Sequence, residues 1–511
     1  MFASKAADHY RRLDLILGAP FNVGAFATAS CRISAMPVAK PITDHAPDSR
    51  AVLAALWRDA GFDDAALDDV ELIGAEPVLP SSFAVGTAAQ ATIAAAALAA
   101  AEVWRPRAGR RQRVSVDMRR AAIEFRSEHY VSVDGQAPEK LWDDISGLYR
   151  CGDGRWVRLH CVLPHHRAGL IKLLGCSEDR TSVQRALDKW QAEAIETAAA
   201  QAGLVVSASR SLAEWDRHPQ GRAVATLPLF SIEKIGDAPK LELGAAERPL
   251  AGLRVLDLTR IIAGPVCGRT LAVHGADVLL ITAAHLPSIR SLVIDTGRGK
   301  LSAAIDLRED SGRAALTALL RDADILVQGY RPGAIAGRGF SPQDAARIRP
   351  GIIYVSLCAY SQEGPWADHR GFDSLVQNTS GLNDEEAYAF GAREPQAKPR
   401  PLPAQALDHG TGYLMAFAAL AALKRRMAEG GSWHVRLSLA RTGLWLRRLG
   451  RIDGVTCRDP GLADIGDCLV DTESGFGRLT AVRHAADMSE TQPYWARPSV
   501  PLGTHAAVWP R

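Results

Sequence analysis

Three short stretches of this 511-residue chain bring together residue types that can do chemistry. In Ala406-Leu407-Asp408-His409-Gly410-Thr411-Gly412 an acid opens an apolar helical run, with two glycines close by. A carboxylate at a helix start is electrostatically favoured and can act as an acyl-accepting nucleophile, and Gly410 and Gly412 leave room for a bulky thioester beside it. The competing reading is simpler: Asp is a preferred N-cap, and an N-cap needs no further role. The second stretch, Gly329-Tyr330-Arg331-Pro332-Gly333, follows an apolar run. Its planar aromatic and guanidinium suit an adenine ring and phosphates, or else it is a solvent-facing turn. The third is Ala263-Gly264-Pro265. Small residues allow close backbone approach, and free N–H groups at a helix start attract phosphate or carboxylate, although such turns also simply join elements.

The elements that must position these residues are legible from apolar patterning. Gly244 to Leu250 reads as linker, and strands are predicted at 255–258, 277–281, 302–307, 325–327 and 352–356. Helices from about residue 265 and over 311–321 alternate with them, as a parallel sheet requires. The fold class is α/β, a Rossmann-like doubly wound parallel sheet with a smaller α+β domain. No G-x-G-x-x-G follows the first strand, which disfavours a dinucleotide, yet a ligand can still sit at the carboxyl ends of the strands. Upstream, 149–159 reads as a hairpin turning at Asp153-Gly154, followed by helices over 166–174 and 182–202. An Ala-rich helix, basic turn and alternating strand occur at 88–118 and again at 409–439, an offset of 321 that pairs Thr87 with Asp408. Chance similarity between two Ala-rich helices is the alternative.

With 47% hydrophobic and 23% charged residues the chain reads as globular, and a net charge of +3 suits an anionic small ligand but not a nucleic acid. The eight cysteines form no C-x-x-C pair, so no metal site is expected, and reduced, buried thiols in a cytoplasmic setting are. Residues 1–20 lack the apolar core of a secretory signal. The apolar stretch 83–104 is mostly alanine, too weakly apolar for a membrane span, and is expected to be a buried helix.

The order of the motifs resembles family III CoA-transferases, the CaiB/BaiF type. Residues 249–260 followed by Ala263-Gly264-Pro265 are similar to that family's opening, and further matches follow in sequence. They are His274-Gly275-Ala276-Asp277-Val278, Gly299-Lys300-Leu301-Ser302, Ile305-Asp306-Leu307, Ala323-Asp324-Ile325-Leu326-Val327, Tyr330-Arg331-Pro332-Gly333, Gly364-Pro365, and Gly371-Phe372-Asp373-Ser374-Leu375-Val376-Gln377. The earlier part resembles the same family out of order, so the carboxyl half comes first. Residues 1–139 then form a carboxyl-half-like segment of the large domain, and 140–245 the small domain and return segment. Residues 246–440 form the CoA-binding and catalytic domain, and 441–511 a C-terminal extension.

The resemblance implies an interlocked fold and a CoA-transferase moving CoA from an acyl-CoA to a carboxylic acid. It places Asp408 as the covalent nucleophile and implies CoA contacts at Arg260, Ile261, Ile262, Ala263, Lys300, Gly329, Tyr330 and Arg331. No cofactor is held permanently; acyl-CoA and a small carboxylic acid are the partners, with no nucleic acid or membrane. The chain is expected as a homodimer or as an intramolecular pseudo-dimer with one competent aspartate. Thr282-Ala283-Ala284-His285 and Gly337-Arg338 depart from the family's phosphate-binding pattern. Phe372 stands where related racemases carry a histidine base, which argues against racemisation. His369 and His409 are read as surface or packing residues. An α-methylacyl-CoA racemase-like isomerase and a non-catalytic CoA-binding subunit are the alternatives.

Overall fold

Apolar, β-branched runs build a seven-stranded sheet. Its strands are β1 (Ser231–Gly236), β2 (Arg254–Leu258), β3 (Asp277–Thr282), β4 (Lys300–Ala304), β5 (Ile325–Gln328), β6 (Ile353–Cys358) and β7 (Ser432–Ser438). They lie in the order β4-β3-β2-β5-β6-β7-β1, all parallel except the β1 edge, which pairs antiparallel with β7. The computed structural model that establishes this describes residues 48–136, 140–394 and 396–510. The expectations for residues 1–20 and for Cys31 lie outside the described residues. Successive side chains on a strand point to opposite faces. Accordingly Val255, Val278, Ile325 and Ile353 enter one core, and Leu256, Leu279, Leu326 and Tyr354 enter another. Burial on both faces explains why these strands read as continuous apolar runs.

Helices α1 (Val85–Ala108), α2 (Met118–Glu124), α3 (Ala263–Val273), α4 (Ala406–Glu429) and α5 (Leu439–Arg448) set the site. Both α1 and α4 have 24 residues, and their bounds differ by 321, the offset of the internal repeat. Each leads to a strand, Val114–Asp117 or β7, and then to a helix whose first turn is capped by Asp117 or Ser438. Alanine lets α1 and α4 pack closely in the main core. Among the described residues α1 is long and apolar enough to cross a membrane, yet its apolar stretch is buried within the protein.

A small antiparallel sheet, Gly147–Arg150, Trp156–Leu159 and Val206–Ala208, carries the expected hairpin and three helices. The helix expected over 182–202 is two, Arg180–Leu187 and Ala192–Gln201. The break docks onto the hairpin: Gly152 donates its amide to Trp190 O, and Asp153 accepts from the amide of Ala192 at 3.0 Å. The strand expected over 302–307 ends at Ala304, because Asp306 accepts the Arg308 amide at 2.9 Å and turns the chain. The last residues run along β4 and cover that sheet edge, with the His505 amide on Ser302 O at 2.7 Å.

Candidate active site

Loops at the carboxyl ends of β2, β5 and β6 meet the start of α4 around a cavity of about 520 Å³. After β2 the chain turns through Ile261, which has φ 75°, a conformation rarely seen for a β-branched residue. Such strain costs about 1–3 kcal/mol and persists only where packing enforces it. Here it brings Arg260, Ile261, Ile262 and Ala263 to the cavity wall. Gly329, Tyr330 and Arg331 line it after β5, with the Arg260 guanidinium 5.7 Å from the Tyr330 ring centroid.

Further lining comes from the small domain and from the long loop after β6. His165 and His166 of the small domain and His369, Arg370 and Phe372 face the β-strand ends. Arg370 donates to Gly203 O at 2.7 Å and so ties this wall to the small domain. Burial, together with the like charges of Arg331 and Arg260, pushes the Arg370 pKa down, a sign of clustered cations suited to an anionic ligand.

Lys300 does not join this group. Its ammonium is buried and donates to Asp257 Oδ2 and to Pro265 O, both at 2.7 Å. It ties the end of β2 to the first turn of α3 and shapes the loop from behind. Its charge is legible in sequence; its partner, 43 residues away, is not.

Asp408 lies in the first turn of α4 and is 7% exposed. It is not the N-cap. Gln405 precedes the helix without a side-chain cap, and the amides of Leu407 and Asp408 both donate to Asp373 Oδ2 at 2.8 Å. A second carboxylate therefore caps the helix, and the Asp408 carboxylate is left over at the cavity floor. Burial, reinforced by the negative charges of Asp373 and Glu128, pushes the Asp408 pKa well above the ordinary carboxylate range. Burial also raises Asp373, to about 6, against the lowering effect of the hydrogen bonds it accepts.

Glu128, near α2 in the first half, was not picked out from sequence. Its Oε2 lies 2.9 Å from His409 Nε2, so His409 is a buried packing and bonding residue, whereas His369 faces the cavity. Ser127 donates to Asp295 Oδ2 at 2.6 Å, and Arg269 donates to the same oxygen at 2.7 Å, which fixes the Glu128 turn against α3. Gly410 and Gly412 do not make room for a ligand. A Cβ on Gly412 would meet Ala263 O at 2.6 Å, and one on Gly410 would first meet Thr442 at 3.4 Å. In the first copy Thr87 takes the place of Asp408, and its amide donates to Glu76 Oε1 at 2.7 Å. Glu76 thus caps α1 as Asp373 caps α4, but no acid follows it.

An unengaged acid at a helix start, facing clustered guanidiniums over the ends of parallel strands, defines an α/β protein with an anion-accepting cavity. The sequence profile of CoA-transferase family III matches residues 71–246 and 250–450, and the chain belongs to that family. An "acyl-CoA transferase" of Gibberella moniliformis is 28% identical over 370 residues, 64% of this chain and 64% of its own length. A "succinate–glutarate CoA-transferase" of Agrobacterium fabrum is 31% identical over 209 residues, 37% of this chain and 51% of its own length. A crystal structure of a CaiB/BaiF family protein from Brucella suis has 24% identity and TM-score 0.35, covering 45% of this chain and 65% of that one. The chain spans less than two thirds of the length of each of these.

Proposed function

We propose that the chain transfers CoA from an acyl-CoA thioester to a carboxylic acid through Asp408, with CoA entering as substrate. The carrying observation is that Asp373 caps α4, which leaves the Asp408 carboxylate at the floor of the cavity as a nucleophile. An Asp408 oxygen attacks the thioester carbonyl, the C–S bond breaks, and CoA leaves as thiolate. The thiolate then attacks the Asp408 carbonyl of the mixed anhydride. The donor acid departs with one former Asp408 oxygen, leaving an aspartyl-CoA thioester. The acceptor carboxylate reverses these steps and leaves one of its own oxygens on Asp408. A carboxylate with a raised pKa is the more basic nucleophile once ionised.

Arg260, Arg331 and Arg370 supply positive charge for phosphates, and Tyr330 a face for a ring. An adjoining cavity of about 180 Å³ adds Arg338 and Arg308, the latter held by Asp306, as guanidiniums in place of the family's usual phosphate arginine. We read the strand order as the doubly wound arrangement. We read the two matched segments as the two sides of an interlocked pair folded within one chain, since His165, His166 and Glu128 come from the first and Asp408 from the second.

The test follows an oxygen atom. Turnover with an acceptor acid carrying heavy oxygen in its carboxylate is expected to place that isotope in the Asp408 peptide. Turnover that leaves Asp408 unlabelled would overturn the covalent route.

A further inference from the structure

Asp408 stands between two cavities. Ile261, Ile262, Phe372 and Asp408 itself line both the 520 Å³ cavity and a smaller one of about 40 Å³ on its other side. One water takes roughly 10–15 Å³ on this scale, so the small chamber holds about three heavy atoms. Its wall is largely apolar, with Leu141, Val162, Ile289 and Leu292 beside a run of stacked rings. Trp142 meets His160 edge-on at 5.5 Å, and His160 lies flat on Phe372 at 4.0 Å between centroids. His160 is buried within this row of rings, and Trp142 is half-buried at its edge.

The chamber's charges have one sign. Asp408, Asp373 and Glu128 line it, and among the described residues no Lys or Arg does. Burial lowers the pKa of His129, and it lowers that of His160 to about 3, so both imidazoles are neutral at pH 7. A cation stands nearby, against the Trp142 ring and close enough to Asp373 to feel its charge. The Arg158 guanidinium lies 5.1 Å from the Trp142 ring centroid, is buried, and its Nε has no hydrogen-bond partner. Burial pushes its pKa down to about 10. Arg158 does not line the chamber; Trp142 does.

We infer that this chamber receives the acyl group, and that Trp142 restricts the donor to a short, uncharged acyl-CoA of about two to four carbons. The inference rests on the transferase reading above. A distal carboxylate on the acyl group would meet Asp373 and Glu128, and among the described residues no Lys or Arg lines the chamber to offset them. Each methylene beyond the fit lowers kcat/KM by roughly 10–200-fold in a pocket of this kind.

The experiment compares acetyl-, propionyl-, butyryl-, octanoyl- and succinyl-CoA as donors, following released CoA in the presence of hydroxylamine and subtracting the rate with Asp408→Asn. The short uncharged donors are expected to exceed octanoyl- and succinyl-CoA in kcat/KM by about 100-fold or more. Trp142→Ala is expected to raise both poor donors relative to propionyl-CoA by about tenfold. Adding Arg158→Met should remove the gain for succinyl-CoA and keep that for octanoyl-CoA. Wild-type protein that uses succinyl- or octanoyl-CoA as well as propionyl-CoA overturns the size and charge limit and leaves the transferase reading standing. Release from none of the five overturns both. The wild-type comparison decides the matter even where Trp142→Ala does not fold.

Discussion

Burying a carboxylate disfavours its charged form, and two further carboxylates beside it add to the effect. Asp408 meets both conditions, so its folded-state pKa stands above its ordinary value of 3.8. The sign follows from linkage. A raised folded-state pKa contributes stability in full below the unfolded value, and that contribution is lost as pH rises through the folded one. Asp408→Asn carries no charge to bury. It should therefore raise Tm over wild type at pH 8, by about 2 °C or more, and raise it less at pH 5. Asp373, raised to about 6, loses a carboxylate neighbour in the variant, so the difference reports on Asp408 together with its coupling to Asp373. Scanning calorimetry at the two pH values checks this, and an equal shift at both would contradict it. At this scale the sequence was partly legible. Asp408 stood out through its place among ordered motifs, while its local pattern suggested an N-cap, because nothing local shows that Asp373 does the capping. Glu128 and Trp142 carry no local signal; they matter only through folded neighbours.

Helix contacts decide how firmly the site is held. α4 crosses α3 at Gly412, where a Cβ would lie 2.6 Å from Ala263 O and 2.7 Å from Val266 Cβ. Backbone cannot yield as a flexible side chain does. Gly412→Ala should therefore cost about 1–3 kcal/mol in urea unfolding and weaken CoA binding, because α3 carries Ala263 to the cavity. Gly410→Ala, with its nearest neighbour at 3.4 Å, should be within about 1 kcal/mol of neutral, as the gain in helix propensity offsets a mild contact. Equal losses in the two variants would contradict this packing. The parallel strands were legible because burial on both faces leaves continuous apolar runs, as in Leu256 and Val327. The break between Leu187 and Ala192 was not, because the hairpin that causes it lies some 40 residues upstream and no local residue breaks the helix.

Two halves of one chain carry the same helix–strand–helix unit, and they have diverged at one decisive position. The second copy has Asp408 with Asp373 as its cap; the first has Thr87 with Glu76 as its cap. The repeat could be read from sequence, since its offset of 321 holds for both ends of the paired helices. That α1 would pack on α4, and that His166 would face the β-strand ends, could not be read, because such contacts join residues far apart in the chain. Under the proposed function, this arrangement predicts chemistry at a single acid per chain. The most direct measurement is to incubate the protein with a short acyl-CoA, trap with hydroxylamine, and map the modified peptides by mass spectrometry across a dilution series. One modified aspartate per chain, at Asp408 and unchanged on dilution, is the predicted result. An unmodified Asp408 in protein that still binds CoA, or modification at another acid, would contradict it.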